Sequence, residues 1–140
     1  MICYNKKVIE RFKNPRHAGE IKNPSGIAEE GNLRCGDVMR VYIKVGKNRN
    51  GKEIIKEARF KTYGCAAAIA ASDVACELIE GKGIEKAKEI TNKKITAKLG
   101  GLPIEKIHCS VLGMQTLRKA IDNYLTKSQN KERDKKKEER

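Results

Sequence analysis

The feature that most narrows the fold is a change of hydrophobic period at Gly64. Before it, "VMRVYIKV" puts Met39, Val41, Ile43 and Val45 on one face and Arg40, Tyr42 and Lys44 on the other. That is the period of a half-buried strand. After the turn "KNRNG", Ala58, Phe60 and Thr62 alternate with Glu57, Arg59, Lys61 and Tyr63, which predicts an antiparallel hairpin. From Gly64 on, "CAAAIAASDVACELIEG" has strong helix formers and almost no polar face until Asp73 and Glu77, ending at Gly81. A helix that is apolar nearly all round has to be buried, and the neighbouring hairpin offers the surface to bury it against.

The rest of the chain fits around that pair. Residues 4–13 predict a short helix with Val8, Ile9 and Phe12 on one face, stopped by Asn14-Pro15, since proline disfavours helical geometry just before it. The irregular, glycine-rich stretch from Glu20 to Gly36 has room for one weak strand. Short helices are expected at 84–90 and 92–99, before "GGLP" interrupts. An amphipathic helix from Ser110 to Leu125 carries Val111, Met114, Leu117, Ile121 and Tyr124 at helical spacing, able to cover the sheet. With 140 residues, the chain is expected to form a single core without cross-links, over residues 1–126, followed by a charged, disordered tail at 127–140.

Cysteine usage and charge exclude several classes. The five cysteines form no paired framework, and the first residues, "MICYNKKVIERF", are charged where a signal peptide would be apolar, so free thiols in a reducing cytoplasm are expected. No apolar run approaches the ~18 residues of a membrane span. The net charge of +13 raises nucleic acid as a partner, yet the last fourteen residues alone hold seven Lys/Arg against four Asp/Glu. Aromatics make up only 4%, and no nucleic-acid-binding motif occurs, so neither a membrane nor a nucleic acid is the expected partner.

The polar residues that remain are chemically distinctive. Cys35 and Asp37 in "RCGDVM" sit two apart at a strand entrance, where extended geometry aims both side chains the same way. Cys65 lies where a strand turns into a helix, and His108-Cys109 lies at the start of the last helix; unpaired N–H groups there favour a thiolate. Arg34 and Lys106 beside them can act in the same direction or simply face water, as long basic side chains near a surface usually do. Thiolates and imidazole suit zinc or iron-sulfur centres, whereas oxygen-seeking ions want carboxylate clusters. No CxxC knuckle is present. Five candidates with one spare and one hard carboxylate ligand make a poor permanent store and a sensible transfer site.

At these residues the chain resembles a known family. "YNKKVIERFKNPRHAG", "CGDVMRVYIKV", "ARFKTYGCAAAIAAS" and "LPIEKIHCSVL" together resemble the IscU/NifU N-terminal family of iron-sulfur cluster assembly scaffolds, over about residues 4 to 125 in unbroken order. The resemblance implies an α+β fold, with a small antiparallel sheet of about three strands and helices packed on one face. It carries the family's ligands onto Cys35, Asp37, Cys65, His108 and Cys109, with Cys109 as persulfide acceptor and Asp37 keeping the cluster labile. It implies a scaffold and not a turnover enzyme. Iron and sulfur from a pyridoxal-phosphate cysteine desulfurase of the IscS/NifS kind would build a 2Fe-2S cluster, with electrons from a donor such as a ferredoxin, for transfer to apo-proteins.

Departures from the family pattern carry their own expectations. Where members served by a DnaK-type chaperone show LPPVK, this chain has Ile104 and Glu105 in the middle, which puts chaperone recognition in doubt. The alternative function is a zinc-bound, SufU-like sulfur acceptor for a desulfurase, in which the same residues hold zinc. Cys3 and Cys76 are expected to be structural, and His17, after "NPR", an ordinary surface or turn residue.

Overall fold

The computed structural model describes residues 4–32 and 36–138. Its elements follow the order helix α1 (Lys6–Lys13), strands β1 (Gly26–Asn32), β2 (Asp37–Lys47) and β3 (Glu53–Tyr63), then helices α2 (Ala66–Ile79), α3 (Ile84–Lys88), α4 (Asn92–Lys98) and α5 (Ile107–Glu138). The strands form one antiparallel sheet in the order β1-β2-β3. The stretch with room for one weak strand supplies β1, and the α+β architecture is the expected one.

The hairpin forms as the alternation dictates. Val41 faces Phe60 and Ile43 faces Ala58 across the ladder, and the register shifts once, between Lys44 and Val45. Met39, Val41, Ile43, Ala58 and Phe60 are buried and meet the apolar faces of α2 and α5. α5 packs on β1 and β2, α2 packs on β3 and on α5, and α1 packs on α2. Tyr42 differs from expectation: it lies on the strand's other face yet is buried, because Ile27 and Arg59 flank it in the register.

The approach of α5 to β1 depends on a missing side chain. A Cβ on Gly26 would lie 2.3 Å from the backbone oxygen of Ala120, which cannot swing aside. Nearby, the Ile27 N–H donates to Asn123 Oδ1 at 3.1 Å, tying the strand to the helix. Gly26→Ala is therefore expected to cost about 1–3 kcal/mol through overpacking, read as a lowered denaturation midpoint.

His17 corrects the surface expectation. It is 9% exposed, its backbone N–H donates to Asp73 Oδ1 at 2.8 Å, and its Nδ1 lies 3.2 Å from the same oxygen. Its Nε2 is 3.2 Å from Glu80 Oε2, and its carbonyl accepts from the Phe60 N–H at 2.9 Å, so the segment after α1 closes the open edge of β3. Asp73 also accepts from Arg11 Nη1 at 2.9 Å, while Arg11 Nη2 reaches Glu77 at 2.7 Å. The polar residues of α2 thus serve as a buried clamp on α1 and its exit loop.

At the other end of the chain, α5 starts at Ile107, three residues before the expected Ser110, and its backbone runs on to Glu138. It takes in the charged run set apart above as a tail; Lys, Glu and Arg there are all good helix formers.

Candidate metal centre

Three element ends meet at one end of the sheet. Asp37 opens β2, and Val38 beside it pairs with Tyr63, the last residue of β3, so the chain leaving β3 passes directly by the Asp37 carboxylate. Gly64 makes that passage possible: a Cβ there would sit 2.6 Å from Asp37 Oδ1. Cys65 follows as the N-cap residue of α2 in extended conformation, with no side-chain capping bond, which leaves its sulfur free to point into the site. From the opposite side, a single 3-10 turn (Ile104–Lys106) delivers His108 and Cys109 in the first turn of α5.

The four side chains converge closely. Cys109 Sγ lies 3.7 Å from Asp37 Oδ2, 3.6 Å from His108 Nε2 and 3.9 Å from Cys65 Sγ. Cys65 Sγ is 4.0 Å from the same Asp37 oxygen. One atom from each of Asp37, His108 and Cys109 falls within a mutual 4.8 Å. A tetrahedral ion with bonds of about 2.3 Å to sulfur holds its sulfurs about 3.8 Å apart, so these edges suit a thiophilic ion with little rearrangement.

Electrostatics hold the proton on Cys109. Burial pushes the Cys109 thiol well up, the Cys65 sulfur and the Asp37 carboxylate push it the same way, and Lys106 only partly opposes them. This reverses the expectation that the helix start would yield a ready thiolate: desolvation and a carboxylate outweigh the helix end and one ammonium near the surface. Lys106 in turn is raised, chiefly by Cys65, and Tyr4 is raised by burial and then by Cys65, so both side chains stand beside that sulfur. A metal entering here must displace the proton that Cys109 shares with Asp37.

Cys35 and Arg34 lie outside the described residues. Cys76 is buried within α2 and its thiol is pushed up by burial, in keeping with a structural role. Among the described residues no helix is long and apolar enough to cross a membrane. The residues missed by sequence reasoning are Gly64, whose lack of a side chain makes room for Asp37, and Tyr4 as a neighbour of Cys65. The Tyr63-Gly64-Cys65 run carried a signal for the first, since a strand passing a buried carboxylate needs a residue without a Cβ.

Residues 3–131 match the family model described as the NifU-like N terminal domain. The chain belongs to this family. Relatives within it include the iron-sulfur cluster assembly scaffold protein IscU 1 of Archaeoglobus fulgidus, 47% identical over 125 residues, covering 89% of this chain and 78% of the relative. The IscU scaffold proteins of Aquifex aeolicus and Escherichia coli are 45% and 41% identical, covering 89% and 93% of this chain and 77% and 100% of their own lengths. The NifU-like fold recurs in the crystal structure of a putative scaffold protein for the SUF system from Fervidobacterium islandicum, with a TM-score of 0.63 at 23% identity, over 84% of this chain and 96% of that one. A nitrogen-fixing NifU-like protein from Brucella abortus matches with a TM-score of 0.62 at 18% identity, over 88% and 94%. At such identities these two speak for the fold alone.

Proposed function

We propose that this NifU-like chain is a scaffold on which a labile 2Fe-2S cluster is assembled from iron and desulfurase-derived sulfur and then passed to apo-proteins. The observation that carries the reading is the convergence of two thiols, a carboxylate and an imidazole with atoms 3.6–4.0 Å apart at one end of the sheet. Family membership adds support, since the relatives are named as scaffolds of this kind.

In this reading Cys35, Asp37, Cys65, His108 and Cys109 hold the cargo, and Cys109 receives the persulfide. Each sulfane sulfur takes up a pair of electrons to become sulfide, so an electron donor such as a ferredoxin joins the desulfurase as a partner. Asp37 is the hard ligand in a soft set and the weak point through which the cluster leaves. Asp37→Ala is expected to slow cluster transfer to an apo-ferredoxin severalfold; a transfer rate equal to or above that of the unaltered protein counts against this role.

The test is anaerobic reconstitution with iron, cysteine and a cysteine desulfurase, followed by visible absorption and EPR before and after adding apo-ferredoxin. A 2Fe-2S spectrum that grows, passes to the ferredoxin and is lost in Cys35→Ser or Cys65→Ser is the expected outcome. Removal of the residues after Lys127 is expected to leave assembly intact, because the ligands all precede that point in the chain. The tetrahedral spacing also favours one second reading, the zinc-bound sulfur acceptor. No cluster, with tightly bound zinc and accelerated desulfurase turnover, would establish that reading instead.

A further inference from the structure

On another side of the molecule, α1 and the end of α4 wall a groove of about 720 Å³ whose floor is α2. That volume lies within the ~300–1,000 Å³ usual for small-ligand sites, but such sites are mostly apolar and this lining is almost wholly charged. The groove therefore suits a charged ligand.

The sign of that ligand follows from how the lining charges are paired. On the floor, Arg11 reaches Asp73 at 2.9 Å and Glu77 at 2.7 Å, and Lys98 reaches Glu77 at 3.2 Å. The Asp73 side chain is 1% exposed and turns its other oxygen to His17, so the floor carboxylates are already neutralised. On the rim stand Lys7, Lys13 and Arg16, all exposed, with Glu10 as the one acid beside them. None of these three cations makes an ion pair among the described residues, whereas Lys61, Lys88 and Lys119 elsewhere each meet a carboxylate. The rim thus keeps an excess of positive charge.

The walls are held in place before any ligand arrives. Asn5 Nδ2 donates to the Leu99 and Gly101 carbonyls at 2.8 and 3.1 Å, joining the start of α1 to the end of α4. Arg16 precedes His17, whose backbone N–H is fixed by Asp73, and its own carbonyl accepts from Arg59 at 2.9 Å. Binding here requires little ordering of the backbone.

We propose that this groove binds a chain of two or three phosphates, either inorganic or carried by a nucleotide. Lys7 and Lys13 lie six residues apart in α1, about 9 Å along its axis. An extended chain of phosphates can follow that spacing and a single phosphate cannot. Arg16 supplies a planar fork for two phosphate oxygens, and the lysines act as point charges. The groove contains none of the candidate metal ligands. Its role goes beyond the scaffold reading and stands or falls separately from it.

The experiment is titration of the metal-free full chain with inorganic tripolyphosphate, ATP and orthophosphate at physiological salt. Calorimetry gives affinity and stoichiometry, and backbone amide shifts in NMR locate the site. One tripolyphosphate per chain is expected, with shifts centred on α1, Arg16 and Lys98, and with orthophosphate about tenfold weaker or worse. Lys13→Gln combined with Arg16→Gln is expected to weaken tripolyphosphate by about tenfold or more, through loss of hydrogen bonds to a charged group. Lys47→Gln combined with Arg49→Gln removes the same charge from the turn between β2 and β3. It is expected to change affinity by less than about twofold, since distant exposed charges are screened. Equal binding of ATP and tripolyphosphate makes the phosphate chain the whole determinant, and tighter binding of ATP adds the nucleoside to it; both support the site. The unaltered protein gives a second readout, a melting midpoint that rises with tripolyphosphate and not with chloride at equal ionic strength. The proposal is overturned if tripolyphosphate does not bind, if both double variants weaken it equally, if the shifts gather on the charged end of α5, or if chloride raises the midpoint as much.

Discussion

Replacing Asp73 with alanine is expected to lower the unfolding free energy by about 3 kcal/mol, near the lower end of the cost of removing one partner from a buried ion pair. The carboxylate is 1% exposed and accepts from Arg11, from the His17 backbone N–H and from the His17 ring. Removing it leaves a buried N–H without an acceptor and a guanidinium with half its partners. The loss stays at the lower end because Arg11 retains Glu77 at 2.7 Å. A domain of this size has a total stability of ~5–15 kcal/mol, so the change is a large fraction of the whole. Urea unfolding with an unchanged m-value is the measurement, and a loss below ~0.5 kcal/mol, the usual range for a surface substitution, would mean that the clamp is dispensable.

The same clamp gives stability an acid limit. Burial pushes the Glu77 carboxyl up, but hydrogen bonds from Arg11 and Lys98 outweigh it and hold the group below its ordinary value of 4.5. A carboxyl held low in the folded state contributes stability that is fully present above the unfolded value. That contribution is lost as pH falls through the folded one. Glu77 is partly exposed, so salt and water reduce its share.

Gly64→Ala is expected to have the largest effect on the site itself. The new methyl would lie 2.6 Å from Asp37 Oδ1, 2.9 Å from Asp37 Cγ and 3.0 Å from Ala68 Cβ. The carboxylate has to move, and it is the group that both Cys65 and Cys109 face. A loss of about 10–100-fold in metal affinity is expected, comparable to removing a group that orients a ligand. Competition of the protein with a zinc chelator measures it without requiring cluster assembly. Retention of full affinity would show that Asp37 is free to relocate and that its position here is not what organises the site.

Much of the molecule was legible in the sequence because the signals are local. The change of period at Gly64 separated the hairpin from α2, Asn14-Pro15 ended α1, and Gly81 closed α2. Cys65 and the His108-Cys109 pair could be assigned to element ends for the same reason. Other features could not be read this way. The alternation of β2 assigned Tyr42 to the polar face, and only its cross-strand neighbours bury it. His17 lies in a turn as expected but looked like a surface residue, because nothing near it in sequence reveals a carboxylate that lies 56 positions away. The ready thiolate expected at Cys109 failed on burial, a quantity that helix-end position does not report.

The sequence by itself determined the elements, their order, the family and the chemical softness of the site, since periodicity, capping residues and side-chain type act within a few residues of where they are written. Only the tertiary structure decided that Asp37 and Cys109, 72 positions apart, lie 3.7 Å from each other, and that one thiol stands at the mouth of the site while the other lies beneath it. Those facts follow from strand register and from the packing of α2 and α5 on the sheet, which sum many distant contacts that no local stretch encodes.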